Sequence, residues 1–150
     1  MELQSYVFDF RKSPTFDRKW NKEFDVEDIE TNCFNIVLVN DICDDNIEDC
    51  LNADNQLRYN EEDMLFIDCH LVYDDTNKDN SFIALAEDCS YTFEENEDFK
   101  FKGAFVTNES GYVMGYSINT YSVNITNEII FKKDLKFWTI TEDNGSVIHG

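Results

Sequence analysis

The chain has 150 residues, 42% of them apolar and 15% aromatic, and its 13 Phe, 7 Tyr and 2 Trp supply enough buried area for one real core, which excludes an acidic disordered tail and fits one domain better than two. The formal net charge of −20 is concentrated in residues 23–98, which hold 24 Asp and Glu against Arg58 and Lys78, while residues 1–22 net +2 and residues 99–150 net zero. So negative a section repels phosphates and anionic lipid heads; it excludes direct nucleic-acid binding and reads as a solvated face, with docking of a basic partner or imitation of nucleic acid as the sharper readings.

In chain order, the start MELQSYVFDFRKS lacks a basic segment followed by an apolar one, so no secretory signal is read. SYVFDF, residues 5–10, alternates with Tyr6, Phe8 and Phe10 on one side. RKSPTFDRKWNK, residues 11–22, is basic, and Pro14 and its alternating polarity argue against a helix; it reads as an N-terminal arm or edge strand with Trp20 as an anchor, ahead of a single β-sandwich domain over 23–150. CFNIVLV, residues 33–39, is a buried-strand candidate. Residues 41–60 fit either a short helix or an irregular acidic loop.

MLFIDCHLVY, residues 64–73, reads as one strand with Leu65, Ile67, Cys69, Leu71 and Tyr73 facing the core and Phe66, Asp68, His70 and Val72 facing away. SFIALA at 81–86 and YTF at 91–93 follow. In FKFKGAFVT, residues 99–107, strict alternation puts Phe99, Phe101 and Phe105 on one side and Lys100 and Lys102 on the other. Phe105 and Val106 then end one arm of a hairpin, TNESG supplies its loop with Gly111 at a positive φ, and residues 112–118 return. Separate strands are expected at YSVNI, EIIF and KFWTI, with a turn at EDNG, residues 142–145. Turns built from 16 asparagines and short strands every 8 to 12 residues indicate an all-β antiparallel sandwich, jelly-roll or Ig-like, with room for one short helix.

The candidates for chemistry are few. Five cysteines, at 33, 43, 50, 69 and 89, form no Cys-x-x-Cys pair, so neither a zinc knuckle nor a thioredoxin-type motif is present, and folding in a reducing cytoplasm with free thiols is expected. Cys69 and Cys89 read as small core hydrophobes. Asp68 and His70 project from one side of the 64–73 strand, which reads as an ordinary strand-surface pair, and His149 sits one residue from the end. Paired carboxylates are expected by composition alone. DDTNKDNS, residues 74–81, lacks the glycine and the terminal Glu of an EF-hand loop. The sequons at Asn108, Asn124 and Asn144 follow from asparagine abundance. No apolar run reaches the roughly 18 residues of a membrane helix. No metal, no cofactor and no catalytic residue are expected, and the chain reads as non-enzymatic.

Three segments, ALAEDCSYTF, FKFKGAFVTN and GYVMGYSIN, resemble the C-terminal half of small virion structural proteins of tailed bacteriophages. The matching positions are Ala86, Glu87, Asp88 and Tyr91, then Ala104, Phe105 and Val106, then Gly111, Tyr112, Gly115 and Tyr116, and last Phe137 to Ile140. FNIVLVND, residues 34–41, is similar to the early strand of that family, whereas the glycine-rich middle of many such proteins is replaced here by NEEDMLFIDCHLVYDD. The resemblance implies a β-rich fold and a place in the virion as an auxiliary capsid, head-fibre, ring or neck/tail component, folded in the host cytoplasm and assembled as symmetric copies with other virion proteins. The candidate contact residues are then Trp20, Phe105, Tyr112, Met114 and Tyr116, part of which a sandwich must spend on its own core. The rival expectations are an acidic nucleic-acid mimic that inhibits a host DNA-binding protein and, third, a carbohydrate-binding module.

Overall fold

FNIVLV has five apolar residues out of six, broken only by Asn35, and such a run suits a strand with both faces of its sheet covered. In the computed structural model, which describes residues 2–3, 10–12, 26–40, 56–58, 61–74 and 81–140, this run is β3 (Phe34–Val39), hydrogen-bonded on both edges and buried on both faces. Around it lie β1 (Glu2–Leu3), β2 (Arg11–Lys12), β4 (Met64–Cys69), β5 (Leu71–Asp74), β6 (Ser81–Leu85), β7 (Cys89–Thr92), β8 (Asp98–Asn108), β9 (Val113–Thr126), β10 (Glu128–Phe131) and β11 (Lys136–Ile140). One helix, α1 (Val26–Thr31), and a 3₁₀ turn at Glu61–Asp63 complete the described elements.

The strands form a five-stranded sheet in the order β2-β9-β8-β3-β4 and two three-stranded sheets, β11-β6-β5 and β1-β10-β7. Every pairing is antiparallel except β1 with β10. The fold is therefore all-β and sandwich-like, as the strand spacing predicts. One core cluster draws on all three sheets: Phe34, Ile36 and Leu38 of β3, Phe101, Ala104 and Val106 of β8, Ile83 and Leu85 of β6, Ile129 and Phe131 of β10, and Phe137 of β11. Phe10 and Ile29 of α1 close it, Phe10 standing edge-on to Phe137 with ring centroids 4.8 Å apart. A smaller cluster, Val37, Val39, Phe105 and Val113, fills the opposite face of the five-stranded sheet.

Several expectations are corrected by local geometry. The β8–β9 ladder slips by three residues between the Phe101–Val123 and Gly103–Ile118 pairs, so Phe101 stays in the main core while Phe105 turns to the opposite face; a slip by an odd number of residues reverses the side on which later residues fall. The 64–73 run is two strands broken at His70, one in each of two sheets, although Ile67, Cys69 and Leu71 reach the same core from both. YSVNI is the second half of β9, and the hairpin arms are longer than expected, with residues 109–112 as the loop. Within that loop Gly111 does take a positive φ, 86°. The helix lies at 26–31; the expected one at 41–60 falls outside the described residues except Gln56–Arg58, as do the turn at 142–145 and most of 5–10.

Candidate functional site

The structure divides the five expected contact residues. Phe105 and Met114 are buried, in the small cluster and the main core respectively, and so are closed to a partner. Tyr112 and Tyr116 are half-buried at the hairpin, Tyr116 packing on the small cluster opposite Phe105. Trp20 lies outside the described residues. Three aromatics outside the expected contact set stand open instead: Phe66 (45% exposed), Tyr91 and Tyr121 (79%). Phe66 carried a signal, since the alternation over 64–73 puts it on the side facing away from the core with Asp68 and His70. The hairpin loop is tied locally: Asn108 Oδ1 accepts hydrogen bonds from the backbone N–H groups of Ser110 and Tyr112, both at 3.0 Å.

A second constellation lies at the corner where the chain passes from one sheet to another. The β3–β4 register pairs Phe34 with Cys69, so Cys33 and His70 face each other one step beyond the end of that ladder. Cys33 Sγ lies 3.4 Å from His70 Nε2, and His70 Nδ1 lies 3.1 Å from Glu87 Oε1. Glu87 is brought there by backbone: Ala86 N–H donates to the His70 carbonyl at 2.8 Å, which pins the β6–β7 turn against the corner. The ionised carboxylate can only accept, so the proton of the neutral ring belongs on Nδ1, leaving Nε2 as the acceptor that faces the thiol. Asp68, the partner expected for His70, makes no hydrogen bond to it; the ring sits past the strand end and turns to Glu87 and Cys33 instead. His70 is 47% exposed and Glu87 67%, and Cys33 is an exposed free thiol.

The neighbouring cysteines are of another kind. Burial pushes the Cys69 thiol far above its ordinary range, with Cys89 and Asp68 nearby acting in the same direction, and Cys89, partly buried, is pushed up to about 12 chiefly by burial. Both serve as small hydrophobes of the core, as their pattern predicts. Beyond them, Asp88 accepts from the Lys133 backbone N–H at 2.7 Å and from Lys132 Nζ at 3.2 Å, contacts that hold its carboxyl below the usual range and join the β6–β7 and β10–β11 turns.

An open groove of about 620 Å³ is lined by Asn40, Glu62, Asp98, Phe99, Lys100 and Ser122, a mostly polar wall unlike the apolar lining of small-molecule sites. Among the described residues no group of three His, Cys, Asp or Glu side chains converges to hold a metal ion, and no helix is long and apolar enough to cross a membrane. No family model matches the chain, and neither a curated protein nor a solved structure matches it.

Proposed function

We propose that the chain is a non-enzymatic structural component of a tailed-phage virion, attached to the head or to the neck and tail and working through protein–protein surfaces in symmetric copies. The reading is carried by the segments that resemble such virion proteins, and what supports it is the kind of position they occupy. Gly111 permits the hairpin, Ala104 and Val106 fill the sheet interior, and Asp88 ties two turns together. These are scaffold roles, which suit a protein whose task is shape. Half-buried Tyr112 and Tyr116 and exposed Phe66, Tyr91 and Tyr121 provide aromatic area of the type enriched at interfaces. Mass spectrometry of purified particles, with copies per particle counted, tests the proposal: several stoichiometric copies are expected, and absence from mature particles overturns it.

A second reading is favoured by the exposure of the acidic side chains themselves. Glu62, Asp68, Glu87, Glu94, Glu95, Glu97 and Asp98 all stand in solvent, as an imitation of nucleic acid requires. Recovery from host lysate of one stoichiometric DNA-binding protein, released by added duplex, would establish this reading in place of the first.

A further inference from the structure

We infer that Cys33 is a nucleophilic thiol that exchanges with small disulfides bearing positive charge, with His70 as its base and Glu87 as the group that orients His70. The inference goes beyond any place in a particle and stands independently of it.

Three segments far apart in sequence meet here, and each is fixed by backbone. The β3–β4 ladder sets Cys33 opposite His70, and the bond from Ala86 N–H to the His70 carbonyl sets Glu87 beside the ring. Thiol, imidazole and carboxylate then stand in the order of an activated nucleophile, its base and the group orienting the base, at 3.4 and 3.1 Å. A linear order serves proton transfer; a metal site would need the three to converge on a point.

Hydrolytic thiol sites use the same order but also need N–H donors aimed at the developing oxyanion. Cys33 instead follows the C-terminal end of α1 (Val26–Thr31) by two residues, and a helix C-terminus presents carbonyls rather than N–H groups. Acyl transfer is thus disfavoured, while disulfide exchange, which develops charge on sulfur alone, makes no such demand. In the exchange the Cys33 S–H proton passes to His70 Nε2 and the sulfur attacks one sulfur of the small disulfide. A new S–S bond forms to Cys33, the original S–S bond breaks, and the leaving thiolate takes up a proton. Cys33 is oxidised to a mixed disulfide, and the small disulfide is reduced to one thiol.

The charge preference follows from the surroundings. Glu30 and Asp68 lie close in sequence to Cys33 and His70 and, like Glu87 itself, are exposed, within a section that carries 24 acidic groups against two basic ones. Two described cations, Lys132 and Lys133, lie by Asp88, and Lys132 is held on its carboxylate at 3.2 Å. A field of this sign gathers cations and repels anions, more strongly at low salt.

The test uses the full chain with cystamine as the cationic disulfide and dithiodiglycolate as the anionic one, adducts being located by tandem mass spectrometry. Cys33 should be modified at least about tenfold faster by cystamine than by dithiodiglycolate at low salt, with the ratio shrinking as salt rises. His70→Gln and His70→Asn should each slow the cystamine reaction about tenfold or more, and Glu87→Gln by a smaller factor. Cys69 and Cys89 should stay unmodified until denaturant is added, which also checks that each variant is folded. A Cys33 rate unchanged in both folded His70 variants, a rate no greater than that of an unstructured peptide of the same local sequence, or equal rates for the two disulfides at low salt would each overturn the inference.

Discussion

The two faces of the five-stranded sheet share the same strands and the same hydrogen-bond ladders, yet they are buried by different means. On the inner face Phe34, Ile36, Leu38, Phe101 and Val106 meet side chains from two other sheets, whose backbones are fixed by ladders of their own. On the outer face Val37, Val39, Phe105 and Val113 are covered in part by Leu57, Met64, Tyr116 and Ile118, which are only partly buried. Equal burial therefore does not mean equal confinement. A gap opened on the inner face is walled by ordered backbone, whereas side chains at the outer rim have room to move into one.

The largest expected effect puts that difference to the test. Phe101 and Phe105 are both fully buried, four residues apart on β8, and differ in the face they serve. Truncation of a buried Phe costs about 3 to 5 kcal/mol, the spread reflecting how far the site collapses. Phe101→Ala should fall near 5 kcal/mol and Phe105→Ala near 3 kcal/mol, on the order of the two ends of that range. Urea unfolding of the two variants gives the answer, and losses equal within about 0.5 kcal/mol, or in the reverse order, would dissolve the distinction between the faces.

The division into faces was legible only where the ladder is regular. In β3 a run interrupted only by Asn35 declares a strand covered on both sides, and it is one. In β4 and β5 the alternation names the core residues Ile67, Cys69 and Leu71 correctly but hides the break at His70, because both strands present the same side to one core. In β8 the parity of Phe101 and Phe105 misleads, since the three-residue slip after Phe101 reverses the sides that follow; Gly103, a glycine inside a strand, was the available sign of the slip. Helix α1 buries only Ile29 among its residues with described side chains, too little for a periodic signal, although the acidic residues of VEDIET suit a first turn. The Cys33–His70–Glu87 meeting was not legible, because it spans 37 residues on one side and 17 on the other and depends on a strand register that no local pattern records. The same holds for the hairpin aromatics: composition supplies Phe105, Met114, Tyr112 and Tyr116, but only the slips in the β8–β9 ladder decide which of them are core.

A smaller effect should come from the loop that sets this register. Asn108 is buried, and its side-chain oxygen takes up two backbone N–H groups of the loop while the ladder slips again between Val106 and Thr107. That second slip places Met114 in the inner core and leaves Val113 on the outer face. Asn108→Ala removes both acceptor contacts and should cost about 1 to 3 kcal/mol, more than Asn108→Asp, which keeps the accepting oxygen. If Asp rescues nothing, the side-chain oxygen is not what holds the loop and the allocation of faces is set elsewhere.

The smallest effect belongs to the inner face alone and is read by pH. Cys69 lies in the main core, where burial raises its thiol pKa above the ordinary value of 9.0. In the unfolded chain the thiol ionises above that value, while in the folded chain it stays protonated. The folded state therefore binds more protons at alkaline pH, and stability falls as pH rises; below about pH 8 the thiol contributes no pH dependence. For a group this buried the fall is about 1.4 kcal/mol by pH 10. Partly buried Cys89 shifts the same way, and so the wild-type slope mixes the two. Cys69→Ala separates them: it lowers stability at pH 7 by opening a small gap, but its stability should then decline less steeply between pH 8 and pH 10 than that of the wild type. A parallel decline in both proteins would mean that water reaches Cys69 in the folded state. The inner face would then be no better sealed than the outer, whatever the Phe101 and Phe105 truncations give.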